Sequence, residues 1–138
     1  MASEYRFRRR VQFYETDAAG IVHFSWFFRY MEEAEHALWR EAGLSIHGPD
    51  GEFGFPRVST SFDFHSPLRF EQEFDIHIRV TAITRKSIQY SCVLSDGDTR
   101  IATGSVTVVC VPRKGPMASV EIPTEIRSRL QAAPGSET

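Results

Sequence analysis

The chain has 138 residues, 41% of them hydrophobic and 25% charged, with a formal net charge of −2. That length supports one core of ordinary size, and the near-neutral balance gives nothing that would draw a polyanion, so nucleic acid is not an expected partner. No apolar run reaches the roughly 18 residues needed for a membrane helix, so membrane insertion is not expected. The first ten residues are too charged for a secretory signal, so the expected location is the cytoplasm.

The first element predicted is a strand over Tyr5–Tyr14, with Phe7, Val11 and Phe13 alternating against Arg8, Arg10 and Gln12. Arg9 falls on the apolar side of that alternation, which places the strand's first half at an edge or an interface. As a basic cluster, Arg6, Arg8, Arg9 and Arg10 read as the solvated side of a strand and not as a phosphate site. A turn around Asp17 follows. From Ser25 to Ala42 the period becomes helical, with Phe27, Tyr30, Met31, Ala34, Ala37, Leu38 and Ala42 in one stripe. Glu32, Glu33, Glu35, His36, Arg40 and Glu41 lie off it. Ser25 is the predicted N-cap and Gly43 the C-terminal stop. Phe24, Trp26, Phe27 and Phe28 make the helix start unusually aromatic, so other structure is expected to wrap it.

A loop over Ile46–Pro56 leads into four predicted strands: RVSTSFDFH, EFDIHIRVTAI, SIQYSCVL and TRIATGSVTVVCV. The last two form a hairpin about Asp96-Gly97-Asp98-Thr99, which sets Cys92 opposite a residue near Thr103 and leaves Cys110 too far along for a disulfide. His77 sits on the polar face of its strand and His65 at an end, so both are read as solvated. Thr124–Ala132 reads as a short helix and Pro134–Thr138 as a frayed end. The histidines are scattered singly and no C-x-x-C occurs, so no metal or cofactor is expected. The pattern is α+β: one strand, one long helix, then about four antiparallel strands forming a curved sheet about that helix.

Asp17 lies just before the start of the helix, whose first N–H groups have no internal acceptors and carry partial positive charge. A carbonyl set there is polarised as negative charge develops on its oxygen, while Asp17 acts on its carbon or on a water. Gly20 allows close backbone approach. The competing reading is that Asp17 merely caps its own turn.

The stretch Y-E-T-D-A-A-G-I-V-H-F, residues 14–24, followed by Tyr30, Glu32 and Ala34, resembles the 4-hydroxybenzoyl-CoA thioesterase-like family of hotdog-fold acyl-CoA thioesterases. R-K-S at residues 85–87 and V-E-I-P at 120–123 extend the resemblance over roughly residues 5–130. It implies a single hotdog domain: an antiparallel five-stranded sheet wrapped around one long central helix. It also implies homodimers or dimers of dimers with sites at the subunit boundary, and an acyl-CoA substrate. Asp17 matches the family's catalytic carboxylate, as nucleophile or general base, and the Phe24 backbone N–H matches the group that polarises the thioester carbonyl. His23 is a catalytic candidate, although in the branch resembling bacterial Tol-Pal-linked thioesterases the histidine comes one position later. Arg85, Lys86 and Ser87 match the basic element expected to receive coenzyme A, with Arg113-Lys114 second. Glu32 either receives a hydroxyl on the acyl group or pairs with an arginine. Two rival readings remain, a thioesterase for carrier-protein-bound acyl chains and a non-catalytic acyl-CoA-binding protein. A dehydratase is disfavoured because no H-x-x-x-x-P-G string is present.

Overall fold

The computed structural model describes residues 1–47 and 51–135. Strand β1, Glu4–Arg10, leads through a single 3-10 turn, Phe13–Glu15, into helix α1, Ser25–Glu41. A two-residue strand β2, Phe53–Gly54, precedes β3, Arg57–Phe64. Then come β4, Glu73–Ile83, β5, Ser87–Asp96, and β6, Thr99–Val109. Strand β7, Val111–Pro112, and the one-turn helix α2, Thr124–Arg127, complete the described elements. The main sheet is antiparallel in the order β1-β4-β5-β6-β3, and β2 pairs with β7 in a separate ribbon.

The sheet closes around α1 because each central strand carries an apolar face in register with its neighbours. One row runs Phe7, Ile76, Leu94, Ala102, Phe64, and the next runs Tyr5, Ile78, Cys92, Gly104, Phe62. Side chains on one face of a strand repeat every second residue, so these rows face the helix together. Against them α1 buries Phe27, Tyr30, Met31, Ala34, Leu38 and Trp39. At Gly104 a Cβ would lie 2.6 Å from the Phe62 ring and 2.7 Å from the Ser61 carbonyl oxygen, so only glycine admits Phe62 there. Register shifts at Val58 in β3, Thr81 in β4 and Ile101 in β6 bend the sheet further.

The α+β arrangement and its antiparallel five-stranded sheet are those expected, and several local expectations need correction. The first strand stops at Arg10 instead of Tyr14, because the Glu15 carboxylate accepts the Gln12 N–H and folds Phe13–Glu15 into a turn. That turn leaves Phe13 and Tyr14 exposed and Glu15 fully buried. Ser25 is the first helical residue and not the cap. The cap position is Phe24, which makes no side-chain cap, and His23 Nδ1 accepts the Ser25 N–H instead. Gly43, at φ +77, does end the helix. Glu35, placed off the stripe by periodicity, is buried completely, and so in effect is Trp39. The β5–β6 hairpin sits as expected, but a bulge at Leu94–Ser95 moves the partner of Cys92 from Thr103 to Gly104. The terminal helix is shorter, ending at Arg127. Leu130 and Ala133 are buried, and Leu130 bridges back to Ala2. His77 and His65 are not simply solvated, since His77 hydrogen-bonds Glu4 and Arg6 while His65 bonds Thr103. The middle of the Ile46–Pro56 loop and the last three residues fall outside the described residues.

Strands β1 and β3 are the sheet's edges. On β3 every residue except Phe62 is exposed, including Val58 and Phe64.

Candidate active site

Residues 15–23 form a small hairpin that delivers the chain into α1. His23 donates its N–H to the Glu15 carbonyl at 2.9 Å, Thr16 bridges Val22, and Asp17 donates its N–H to Ile21 at 2.9 Å. At the tip the Gly20 N–H bonds the Asp17 carbonyl, and Gly20 has φ +80. A Cβ on Gly20 would meet nothing within 4 Å, so within this chain the backbone conformation alone requires glycine. The hairpin is tied to the body by the Val22 N–H on the Leu68 carbonyl and by the Ile21–Arg69 bridge.

Asp17 is exposed at this tip. Its Oδ1 accepts the Ala19 N–H at 2.9 Å, so the carboxylate does cap its own turn. That bond uses one oxygen, and Oδ2 has no hydrogen bond among the described residues. Six residues on, the other limb runs into α1. The Trp26 and Phe27 N–H groups bond back to the His23 and Phe24 carbonyls, and Ser25 donates to His23 Nδ1. The Phe24 N–H has no acceptor among the described residues. It therefore retains the partial positive charge of a helix start. His23 Nδ1 also lies 2.8 Å from Ser25 Oγ, and its ring stacks on Phe24 at 4.6 Å. Phe24 itself is 61% exposed.

Beneath the hairpin lies a buried ionic cluster that the sequence reading did not identify. Glu15 Oε1 accepts from Arg9 Nη1 and the Gln12 N–H at 2.8 Å and from Tyr30 Oη at 2.9 Å, while Oε2 accepts from Arg9 Nη2 at 2.5 Å. Arg9 also reaches Glu33 and lies over the Tyr30 ring at 4.6 Å. Burial pushes the Glu15 carboxyl up, but Arg9, the Gln12 N–H and Tyr30 outweigh it and hold it below its ordinary range. Burial and then Glu15 push the Tyr30 phenol up. Burial pulls the Arg9 guanidinium down, and its two carboxylate partners more than reverse that. The signal was present in the sequence: a lone arginine on an apolar strand face requires a buried acid.

A second buried acid sits farther along the helix. Glu35 Oε1 accepts from Arg57 Nη2 at 2.5 Å, and among the described residues its Oε2 has no hydrogen bond. Arg57 also approaches Glu32 at 3.7 Å and donates to the Phe55 carbonyl. Nearby, Tyr90 Oη accepts from Trp39 Nε1, and burial followed by the charge of Glu35 pushes this phenol well up.

Of the predicted site residues, Asp17, Gly20, His23 and Phe24 come together in the hairpin. Glu32 stands two turns along α1, beside Arg29 at 3.8 Å as well as Arg57. Arg85, Lys86 and Ser87 do not join them. They form the β4–β5 turn, at the end of the sheet where α1 finishes. Asp17 lies near the Glu73 end of β4 and Arg85 just beyond its Ile83 end, which for a strand rise of roughly 3.3 Å per residue is a separation on the order of 30 Å. Arg85 is bridged to Glu121 at 3.3 Å and Ser87 Oγ bonds Thr84 Oγ1 at 2.6 Å. Arg113, the second basic candidate, is at this end too, donating to the Phe53 carbonyl. A cleft of about 530 Å³ between Trp39, Leu44, Phe53, Phe55 and Ile126 also belongs to this far end. It stands roughly 20 Å of helix rise from Phe24.

Residues 11–130 match the model of the thioesterase-like superfamily. A curated protein of Aquifex aeolicus is 34% identical over 127 residues, covering 91% of this chain and 96% of that one. The 1,4-dihydroxy-2-naphthoyl-CoA hydrolase of Synechococcus elongatus is 26% identical over 132 residues, covering 94% and 96%. Among solved structures, gentisyl-coenzyme A thioesterase BH1999 superposes with a TM-score of 0.81 at 30% identity, over 89% of this chain and 99% of that one. The Synechocystis 1,4-dihydroxy-2-naphthoyl-CoA thioesterase gives 0.84 at 21% identity, over 91% and 94%, a likeness of fold. A long helix wrapped by a five-stranded antiparallel sheet, with an aspartate hairpin at the helix start and a superfamily match over most of the chain, identifies this protein as a member of the thioesterase-like superfamily, a hotdog-fold thioester hydrolase.

Proposed function

We propose that the protein hydrolyses acyl-CoA thioesters, with Asp17 acting on the acyl carbon and the Phe24 N–H receiving the developing oxyanion. The observation that carries this reading is the hairpin, whose two limbs supply a carboxylate oxygen and a helix-opening amide, both without a hydrogen-bond partner among the described residues. The carboxylate delivers an oxygen, its own or that of a water it deprotonates. The amide and the helix field take up charge on the carbonyl oxygen. The thiolate of coenzyme A leaves readily, so one carboxylate and one oxyanion donor suffice without a serine or cysteine nucleophile. His23 lines the site and holds the first turn of the helix through Nδ1. Gly20 keeps the tip narrow enough for the thioester to approach.

The basic element at the far end implies that the working unit is a homodimer. One chain cannot bring Asp17 and Arg85-Lys86 to the same coenzyme A molecule unless the ligand spans most of the sheet. Strand β3 is an edge strand, paired to β6 on one side and, among the described residues, to no strand on the other, with Val58 and Phe64 exposed. Antiparallel pairing of two β3 edges about a two-fold axis aligns the Phe64 end of one copy with the Arg57 end of the other. The far end of the second copy, with its Arg85, Lys86 and Ser87, is then turned toward the first copy's hairpin. There the cations meet the phosphates of the nucleotide.

The acyl group is aromatic in this reading. Phe27 packs edge-on to Phe62 and Phe64, Phe28 packs edge-on to Phe62, and exposed Phe24 continues the surface toward the hairpin. Glu32, beyond this apolar stretch, is set to receive a ring hydroxyl. Two of the relatives are named for hydroxyaryl CoA esters, which agrees. The free thiols Cys92 and Cys110 fit a reducing compartment, the cytoplasm. The test is a panel of benzoyl, hydroxybenzoyl, dihydroxynaphthoyl and hexanoyl CoA esters followed with a thiol-detecting dye. Higher kcat/KM on the aryl esters is expected. Preference for hexanoyl-CoA removes the aromatic assignment, and release of no thiol from any ester removes the enzyme reading itself.

A further inference from the structure

The Glu15 cluster does more than fill space beneath the hairpin. Taking a carboxylate to zero exposure is costly, and an apolar group of similar volume at such a position is often as stable. The chain nevertheless surrounds this one with four donor contacts from three elements: Arg9 on β1, Gln12 in the turn and Tyr30 on α1. Through its own backbone carbonyl the same residue closes the hairpin on the His23 N–H, one residue before Phe24. Its side chain is therefore fixed to the sheet and to the helix while its main chain is fixed to both limbs of the loop. Asp17 is two residues away on one limb and Phe24 follows directly on the other. The contacts that fix the Glu15 carboxylate therefore reach, through one residue, the base of the loop that carries both groups.

We propose that Glu15 is a positioning residue for thioester hydrolysis, setting the separation of the Asp17 carboxylate and the Phe24 amide through its bidentate contact to Arg9 and its bond to Tyr30. This rests on the roles given above to Asp17 and Phe24. A displacement of about 1 Å in such a pair reduces turnover by a factor on the order of 10². The loss falls on kcat and spares KM, because Glu15 is fully buried and offers no surface to a ligand.

The experiment compares Glu15→Gln, Tyr30→Phe, Asp17→Asn and the double variants of Asp17→Asn with each of the first two. Saturation kinetics are read beside a circular dichroism check that each protein is folded at the assay temperature. In Glu15→Gln kcat should fall about 10- to 100-fold, with KM changed by less than about threefold. Tyr30→Phe, which deletes a single hydrogen bond, should give a smaller loss of the same kind and carries the test if Glu15→Gln does not fold. The decisive reading is non-additivity. Once Asp17 has been removed there is nothing left to position, so each double variant should be no more than about threefold slower than Asp17→Asn alone. Multiplying losses, or a folded Glu15→Gln with wild-type kcat, overturns the proposal. Full turnover by Asp17→Asn alone overturns the catalytic role of Asp17 on which the proposal rests, a result read independently of the Glu15 variants.

Discussion

Replacing Arg57 by Met should destabilise the protein far more than loss of a half-exposed charge ordinarily does. Glu35 is completely buried, and Arg57, at 2.5 Å, is the one cation close to it among the described residues, with the neutral Tyr90 phenol nearby. Oε2 has no hydrogen bond among the described residues, and His36 Nε2 stands 3.9 Å from Oε1, too far to substitute for Arg57 as a donor. Removing one partner of such a pair costs about 3–5 kcal/mol, because an uncompensated charge stays in the core. With a urea m-value of about 2 kcal/mol/M for a domain of this size, the midpoint should fall by roughly 1.5–2.5 M. Replacing both residues, Arg57→Met with Glu35→Met, removes the stranded charge and should recover most of that loss. The assay is equilibrium urea unfolding of the wild type and the two variants, with protomer concentration held fixed because association would add to apparent stability. A midpoint for Arg57→Met within about 0.5 M of wild type, or a double variant no more stable than the single, would refute the reasoning.

Three further outcomes follow from the same structure. Glu15 has a folded carboxyl held below its unfolded range of about 4.3, so the stability it contributes is present above that range and disappears as pH falls through the folded value. Arg9→Met removes the strongest of the groups holding it down, so the midpoint of acid unfolding should move to higher pH, and a shift to lower pH contradicts the linkage. Burial pushes the Cys92 thiol up to about 12 and raises Cys110 as well, so a thiol dye should find no fast-reacting group in the native protein and two in urea; rapid labelling of the folded chain would show that these strands open. Charge reversal at Arg85 and Lys86 should raise KM for CoA esters while leaving a truncated thioester nearly untouched, whereas equal losses on both would detach this turn from coenzyme A.

The parts of the fold governed by period and turn chemistry were legible in the sequence. The β4 alternation and the Asp-Gly hairpin are local patterns, and both stand where the sequence set them, the second displaced by one residue through a bulge. The long helix and its glycine stop were legible for the same reason. Glu35 was not, because a charged residue in a helical pattern reads as solvated until Arg57, remote in the chain, is seen to cover it. Glu15 was not singled out at all, since its partners lie on β1 and α1 and no spacing rule links them. At the site the hairpin residues came together as expected, because they are consecutive. The 85–87 turn did not, because the direction of β4 relative to α1 is a property of topology that no motif states. Ser25 illustrates a smaller loss, where a neighbouring histidine took over the capping bond that its residue type predicts.

If a single aspartate carries the hydrolysis, turnover of a saturating aryl-CoA ester by purified Asp17→Asn depends on that residue and on little else. The substitution keeps the side chain's size and its capping oxygen while removing the charge. A folded variant with kcat lowered by a factor on the order of 10³ or more is the predicted result, and kcat within a few-fold of wild type contradicts the account.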